Sequence, residues 1–96
     1  MNICLKEISK LAQYLTIMGV PFIAKPLYDG YQIIVNDNDG DYEWDAICHS
    51  NSYGHEVGLL EIMGSIVDKE RVNDEVEGWL TAEEIAMRVK KIIEAN

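Results

Sequence analysis

Basic residues are scarce in this chain. Eight lysines and arginines stand against seventeen aspartates and glutamates over 96 residues, a net charge of −9. A field of that sign repels nucleic acid phosphates and anionic membranes, so direct binding to either is not expected. Cysteine is scarcer. Cys4 and Cys48 are too few for a disulfide framework. The first residues are broken by Lys6, Glu7 and Lys10, which leaves no secretory apolar region. The two cysteines therefore read as buried thiols of a cytoplasmic protein. No apolar run is long enough to span a membrane. Internal repeats and low-complexity tracts are missing as well. No CxxC pair offers zinc spacing. Leu59 stands where an HExxH motif starting at His55 needs its second histidine. Gly54, Gly58 and Gly64 lack the GK[ST] ending of a phosphate loop.

What is present is a core. Apolar residues make up 48% of the chain. A chain of this size buries roughly 60–65% of its unfolded surface. Residues 1–96 form one domain. The acids are not spread evenly. Residues 26–80 hold thirteen carboxylates against Lys69 and Arg71, a net of −11, while the two ends together are net +2.

Cys4, Ile8, Leu11, Leu15 and Met18 recur at helical spacing, with Asn2 placed to cap and Gly19 placed to terminate. This predicts a helix over residues 3–18. Val20 to Lys25, bounded by Pro21 and Pro26, reads as an edge strand. Tyr31 to Val35 reads as a second strand. The stretch NDNDGDYEWD over 36–45 suggests a calcium loop but fails as one. With Gly40 as the sixth ligand-loop residue, Val35 and Ala46 occupy two essential oxygen positions. A hairpin fits instead. A two-residue turn at Asp39-Gly40 pairs Val35 with Trp44, Ile33 with Ala46 and Tyr31 with Cys48, all apolar, and sets Asn36 opposite Glu43. Tyr31, Ile33, Val35, Tyr42, Trp44, Ala46 and Cys48 then form a buried face.

After the loop SNSYG, the stretch HEVGLLEIMG reads as a short helix closed by Gly64. Residues 65–78 read as an irregular surface connection. Thr81-Ala82-Glu83-Glu84 is a capping box, with Leu80 and Ile85 at its staple positions, and opens a helix over 82–94. The expected fold is α+β in two layers. A three-stranded antiparallel meander carries helices on one face, in the order α-β-β-β-α-α. Its third strand is expected as an unprotected edge, through which a homodimer could pair. The α-β-β-β-α part of that order is shared with double-stranded RNA-binding domains. Here His55-Glu56 and Tyr28-Asp29 stand where lysines would meet phosphate, which argues against RNA binding.

Few residues offer chemistry. His49, His55 and Glu56 are the weak candidates for a metal or hydrolytic site around one loop, with imidazoles that tie down the turn as the alternative. Glu43 and Asp45 share a strand face but nothing in the sequence would bury and tune them. Ser52 reads as a cap and not as a nucleophile. No catalytic residue, resident metal or cofactor is expected. Candidates for contact with a protein partner are Asp37, Asp39, Asp41, Glu43 and Asp45, together with Trp79, which either packs under the last helix or anchors a partner.

The stretches CHSNSYGHEVGLLEIMG (48–64) and VEGWLTAEEI (76–85) resemble a pattern found in small acidic proteins of phages and prophages of Gram-positive bacteria. The resemblance covers about the last half of the chain. It implies a setting, the host cytoplasm, and no established activity. The expected role is that of an accessory protein that binds a protein partner. In its sharper form the partner is basic or nucleic-acid-binding, and the chain inhibits it by imitating phosphate charge. A metal-dependent or hydrolytic enzyme and a self-assembling structural protein are the alternatives.

Overall fold

The structure is a computed structural model, and it describes residues 2–95. Eight elements follow one another. They are α1 (Leu5–Met18), β1 (Ile23–Leu27), β2 (Gly30–Asn36), β3 (Tyr42–Cys48), a 3-10 turn (His55–Val57), β4 (Leu60–Gly64), β5 (Val76–Leu80) and α2 (Ala82–Ala95).

The start of α1 is held by Asn2, whose Oδ1 accepts the Cys4 N–H at 2.9 Å. Its end is a left-handed Gly19, with Val20 N–H donating to Leu15 O and Gly19 N–H to Thr16 O. This is the paired bonding that closes a helix on glycine. The capping box at α2 also forms. Glu84 N–H donates to Thr81 Oγ1 at 3.1 Å, and Thr81 N–H donates to Glu84 Oε1 at 3.0 Å. The staple residues Leu80 and Ile85 are both buried beside it.

The sheet has five antiparallel strands in sequential order, β1-β2-β3-β4-β5, and not the expected three. The additional strands are β4 and β5. β4 replaces the helix expected over 55–64, of which only one 3-10 turn exists. Leu60 and Ile62 point to the core while Glu61 and Met63 point out, a two-residue alternation that a strand satisfies and a helix does not. β5 takes the end of the expected irregular connection. The order is thus α-β-β-β-β-β-α with two helices. β3 lies in the middle, flanked by β2 and β4, so the edge expected there is absent. The real edges are β1 and β5. The two-residue turn at Tyr28-Asp29 makes Leu27 and Gly30 a hydrogen-bonded pair, so Pro26, one residue back, directs its ring nitrogen outward. That blunts the β1 edge.

The β2–β3 register is as expected at Tyr31↔Cys48, Ile33↔Ala46 and Val35↔Trp44. It shifts at the tip, where Asn36 faces Tyr42 and Glu43 is left as a bulge. The turn is not the two-residue one. Gly40 N–H donates to Asp37 O, Asp37 N–H donates to Asp41 O, and Gly40 takes φ +84°, giving a longer loop with a left-handed glycine. The bulge turns Tyr42 over. It leaves the buried face and lies exposed on the other side of the sheet.

Both helices cover one face. Ile8, Leu11 and Leu15 of α1 and Ile85 and Val89 of α2 join Ile33, Val35, Trp44, Ala46, Leu60, Ile62 and Leu80 in a single core. Ile66 and Val67 are also buried, so the 65–75 connection is anchored and not merely laid on the surface. An odd number of strands returns the chain so that α2 runs alongside α1 in the same direction. Their N-termini meet, and the Glu7 carboxylate accepts the Ala82 N–H at 2.8 Å. A carboxylate there opposes the positive end of the α2 dipole.

Cys4 and Cys48 are joined in a disulfide and are not the free thiols expected. Both residues face the core, one from the α1 stripe and one from the inner face of β3, and their Cα atoms lie 5.4 Å apart. The two are 44 positions apart, so the bond restricts the unfolded chain at a cost to it of about 4 kcal/mol. Urea unfolding with and without a strong reductant should differ by that order, and alkylation of the native protein should label no thiol. Equal midpoints would show that the bond carries no stability.

Candidate interaction surface

The tip of the β2–β3 hairpin presents Asp37, Asp39, Asp41 and Glu43, all exposed. Their spacing follows from the turn. Asp37 Oδ1 accepts the N–H groups of Asp39 and Asp41 at 2.9 and 3.0 Å, which bends the chain back over its own carboxylate. One oxygen of Asp37 is thus used by the loop. The other carboxylates of the tip point to solvent.

Asp45 is not part of that cluster. It lies on the sheet face opposite the helices and is only 7% exposed. Its two oxygens accept from Tyr42 Oη at 2.7 Å and Gln32 Nε2 at 2.9 Å. The sequence offered nothing to bury this carboxylate, and the bulge that swings Tyr42 over it supplies the cover. Burial, and then the bond to Asp45, push the Tyr42 phenol above its ordinary range. Glu43 is exposed and is not paired with Asp45.

Of the three loop candidates, His55 and Glu56 are paired with each other, while His49 bonds within its own turn. The buried His49 accepts the Asn51 N–H on Nδ1 at 3.1 Å. Nδ1 of His55 lies 2.6 Å from Ser52 O and 2.9 Å from Glu56 Oε1. Ser52 accepts the His49 N–H and donates to His49 O. The imidazoles and Ser52 thus secure the turn after β3. Among the described residues, no group of three or more His, Cys, Asp or Glu side chains is arranged to hold a metal ion. Asp29 reaches the same loop, where Ser50 N–H donates to its Oδ1 at 3.0 Å. That bond holds the Asp29 carboxyl below the usual range.

Trp79 does not pack under α2. It stands on edge strand β5, 53% exposed, with φ +61°. Glu61 of β4 faces two residues of β5 here, Gly78 and Trp79, because the register passes from Leu60↔Leu80 to Ile62↔Glu77. The left-handed turn of a bulky residue is uncommon and costs about 1–3 kcal/mol. Tyr53 holds it: Trp79 N–H donates to Tyr53 O, and a Cβ on Gly78 would collide with the Tyr53 side chain. Tyr53 and Trp79 are both exposed at the β5 border, joined through their backbones.

Besides Asp45, a second carboxylate is buried, and sequence reasoning missed it. Glu77 of β5 is 3% exposed. Arg88 of α2 forks onto it, with Nη1 to Oε1 and Nη2 to Oε2 both at 2.6 Å. Arg88 also donates to Ile66 O, and Asp68 N–H donates to Glu77 Oε1. Arg71 lies 3.7 Å away. The Arg88 bonds, reinforced by Asp68 N–H, hold the Glu77 carboxyl below its ordinary range despite its burial. Nothing local joins residues 77 and 88 in the sequence, so no motif could have signalled the pair.

The chain matches no protein-family model, no curated protein and no solved structure.

Because the folded-state value of Glu77 is depressed, its contribution is complete above the unfolded value of 4.5 and is lost as pH falls through the folded value. Urea midpoints measured down the acid limb should show that loss, and Glu77→Gln should flatten it. Arg88→Ala should cost about 3–5 kcal/mol at neutral pH, since it leaves a buried carboxylate without its partner. An Arg88→Ala protein as stable as the parent would remove the pair from the account.

Proposed function

We propose that this protein acts by binding a basic protein partner and carries no chemistry of its own. In this reading it is an accessory protein of a phage or prophage, working in the host cytoplasm, and its target is a nucleic-acid-binding protein whose phosphate ligand it imitates. The observation that carries the reading is the hairpin tip, where Asp37, Asp39, Asp41 and Glu43 project together into solvent. The surrounding charge supports it, since residues 26–80 are net −11. Carboxylates at successive turn positions form a compact anionic end that a groove built for phosphate can accept.

Among the described residues, no helix is long and apolar enough to cross a membrane. The sulfurs of Cys4 and Cys48 belong to buried residues, which slows attack by small thiols on the bond once it has formed.

The test is affinity capture from a Gram-positive host lysate, eluted by a salt gradient and read by mass spectrometry. The expected outcome is one basic nucleic-acid-binding protein that leaves only at high salt. The variant Asp37→Asn, Asp39→Asn, Asp41→Asn, Glu43→Gln should lose at least about tenfold in affinity, or about 1.4 kcal/mol. The change at Asp37 keeps a side-chain acceptor oxygen for the turn, so the loop survives. A partner held equally by that variant would overturn charge imitation.

A further inference from the structure

Both helices lie on one face of the sheet and, among the described residues, no helix covers the other. A row of cross-strand neighbours crosses that open face. Ile23 sits beside Ile34, Ile34 beside Asp45, Asp45 beside Met63, and Met63 beside Val76. Four apolar side chains thus flank one carboxylate, where a solvated sheet face ordinarily carries polar residues. Ile23 and Met63 are exposed, and Ile34 and Val76 are half-buried. At the end nearest the hairpin tip, Phe22, Ile23 and Ile34 line an open groove of about 210 Å³ together with Asp37.

The carboxylate at the centre of the row lacks a cation. Asp45 is 7% exposed, and its oxygens accept from a neutral hydroxyl, that of Tyr42, and a neutral amide, that of Gln32. No ion pair among the described residues includes it. Neutral donors offset the burial of a charge only in part, and a cation brought against it in apolar surroundings gains a charge-assisted bond. Tyr42, half exposed beside it, offers an aromatic ring to the same cation. The next row, Lys25, Gln32, Ile47 and Glu61, holds one charge of each sign. The balance over both rows is therefore that of Asp45, and the groove lining adds Asp37 and no cation.

We infer that this open face docks a basic amphipathic helix whose apolar stripe carries one central arginine. The stripe lies along the row, with the guanidinium against Asp45 and Tyr42 and apolar side chains on Ile34 and Met63. The backbone of the inner strands is already paired in the sheet, so the face offers side chains alone. A helix, which satisfies its own backbone, suits it better than an extended segment. Four inter-strand steps of about 4.8 Å make the row about 19 Å long, which about thirteen helical residues span. The inference rests on the reading of a basic partner, and it adds an apolar anchorage on the sheet to the charged contact at the hairpin tip.

The probes are three synthetic helical peptides of about fourteen residues. The first has lysines on its polar face and a central arginine in its apolar stripe. The second replaces that arginine by leucine, and the third replaces the lysines by glutamates. Each is titrated into the isotope-labelled full chain and followed by amide resonances. The arginine peptide should shift Ile23, Ile34, Asp45, Met63 and Val76, with a Kd tighter than about 1 mM. It should bind at least about tenfold tighter than the leucine peptide, and Asp45→Asn should remove that difference. Met63→Lys, at an exposed position beside Asp45, supplies the missing cation from within. It should weaken the arginine peptide at least about tenfold with no loss of melting temperature. The glutamate peptide should leave the row unmoved. The inference fails if the arginine peptide does not bind, if Met63→Lys leaves its affinity unchanged, or if the arginine and glutamate peptides shift the row alike. It also fails if the row shifts with protein concentration alone, which would give the face to a second copy. Shifts confined to residues 37–43, and lost when the four tip carboxylates are neutralised, would overturn this docking site and leave the basic-partner reading standing. Row shifts in a chain that captures no basic protein from lysate would do the reverse.

Discussion

The fork of Arg88 on Glu77 joins three parts of the chain at one buried point. Arg88 comes from α2, Glu77 from the last strand, and Ile66 and Asp68 from the connection that precedes it. A buried carboxylate of this kind is costly unless every oxygen is engaged. Here both are, and no buried side-chain polar atom is left without a partner among the described residues. The pair sets α2 at one height along β5. The capping box then starts the helix where the strand ends, and Ile85 and Val89 of α2 join Leu60 and Leu80 in the core.

Much of this architecture is written in short-range patterns, and the failures share a cause. The α1 stripe, the α2 capping box and the β2–β3 register are set by neighbours within a few residues, and each is readable. β4 reads as a helix because LLEIMG supports two periodicities at once. Leu59, Leu60, Ile62 and Met63 suit a helical stripe, while Leu60 and Ile62 alternate with Glu61 and Met63. Pairing with β3 decides between them, and that is a tertiary fact. The tip of the hairpin departs from the expected turn because Asp37 supplies a side-chain acceptor that favours a longer loop. That single residue moves Tyr42 to the opposite face and buries Asp45. The left-handed Trp79, the disulfide and the Glu77–Arg88 pair depend on partners 11 to 44 residues away. Periodicity carries no information about those.

The charge of the chain is divided in space as well as in sequence. The hairpin tip gathers carboxylates that the fold leaves unpaired. α1 carries Lys6 and Lys10 exposed, with its one acid, Glu7, accepting the first N–H of the other helix. Such a molecule has an electrical direction. A partner approaching it is turned before it is touched, since the field acts over about a Debye length, roughly 8 Å at physiological salt.

The unbroken order of the meander also bears on how the molecule assembles. Every strand pairs with the one made just before it, so each ladder closes a short loop at small entropic cost. Hairpins of this kind form within microseconds and need nothing from the ends of the chain. The meeting of α1 with α2 is different, because it spans the whole sheet, as the 75-residue reach from Glu7 to Ala82 shows. The contact of α1 with α2 therefore closes the longest loop in the frame of sheet and helices and carries the largest chain-entropy cost of any contact in it.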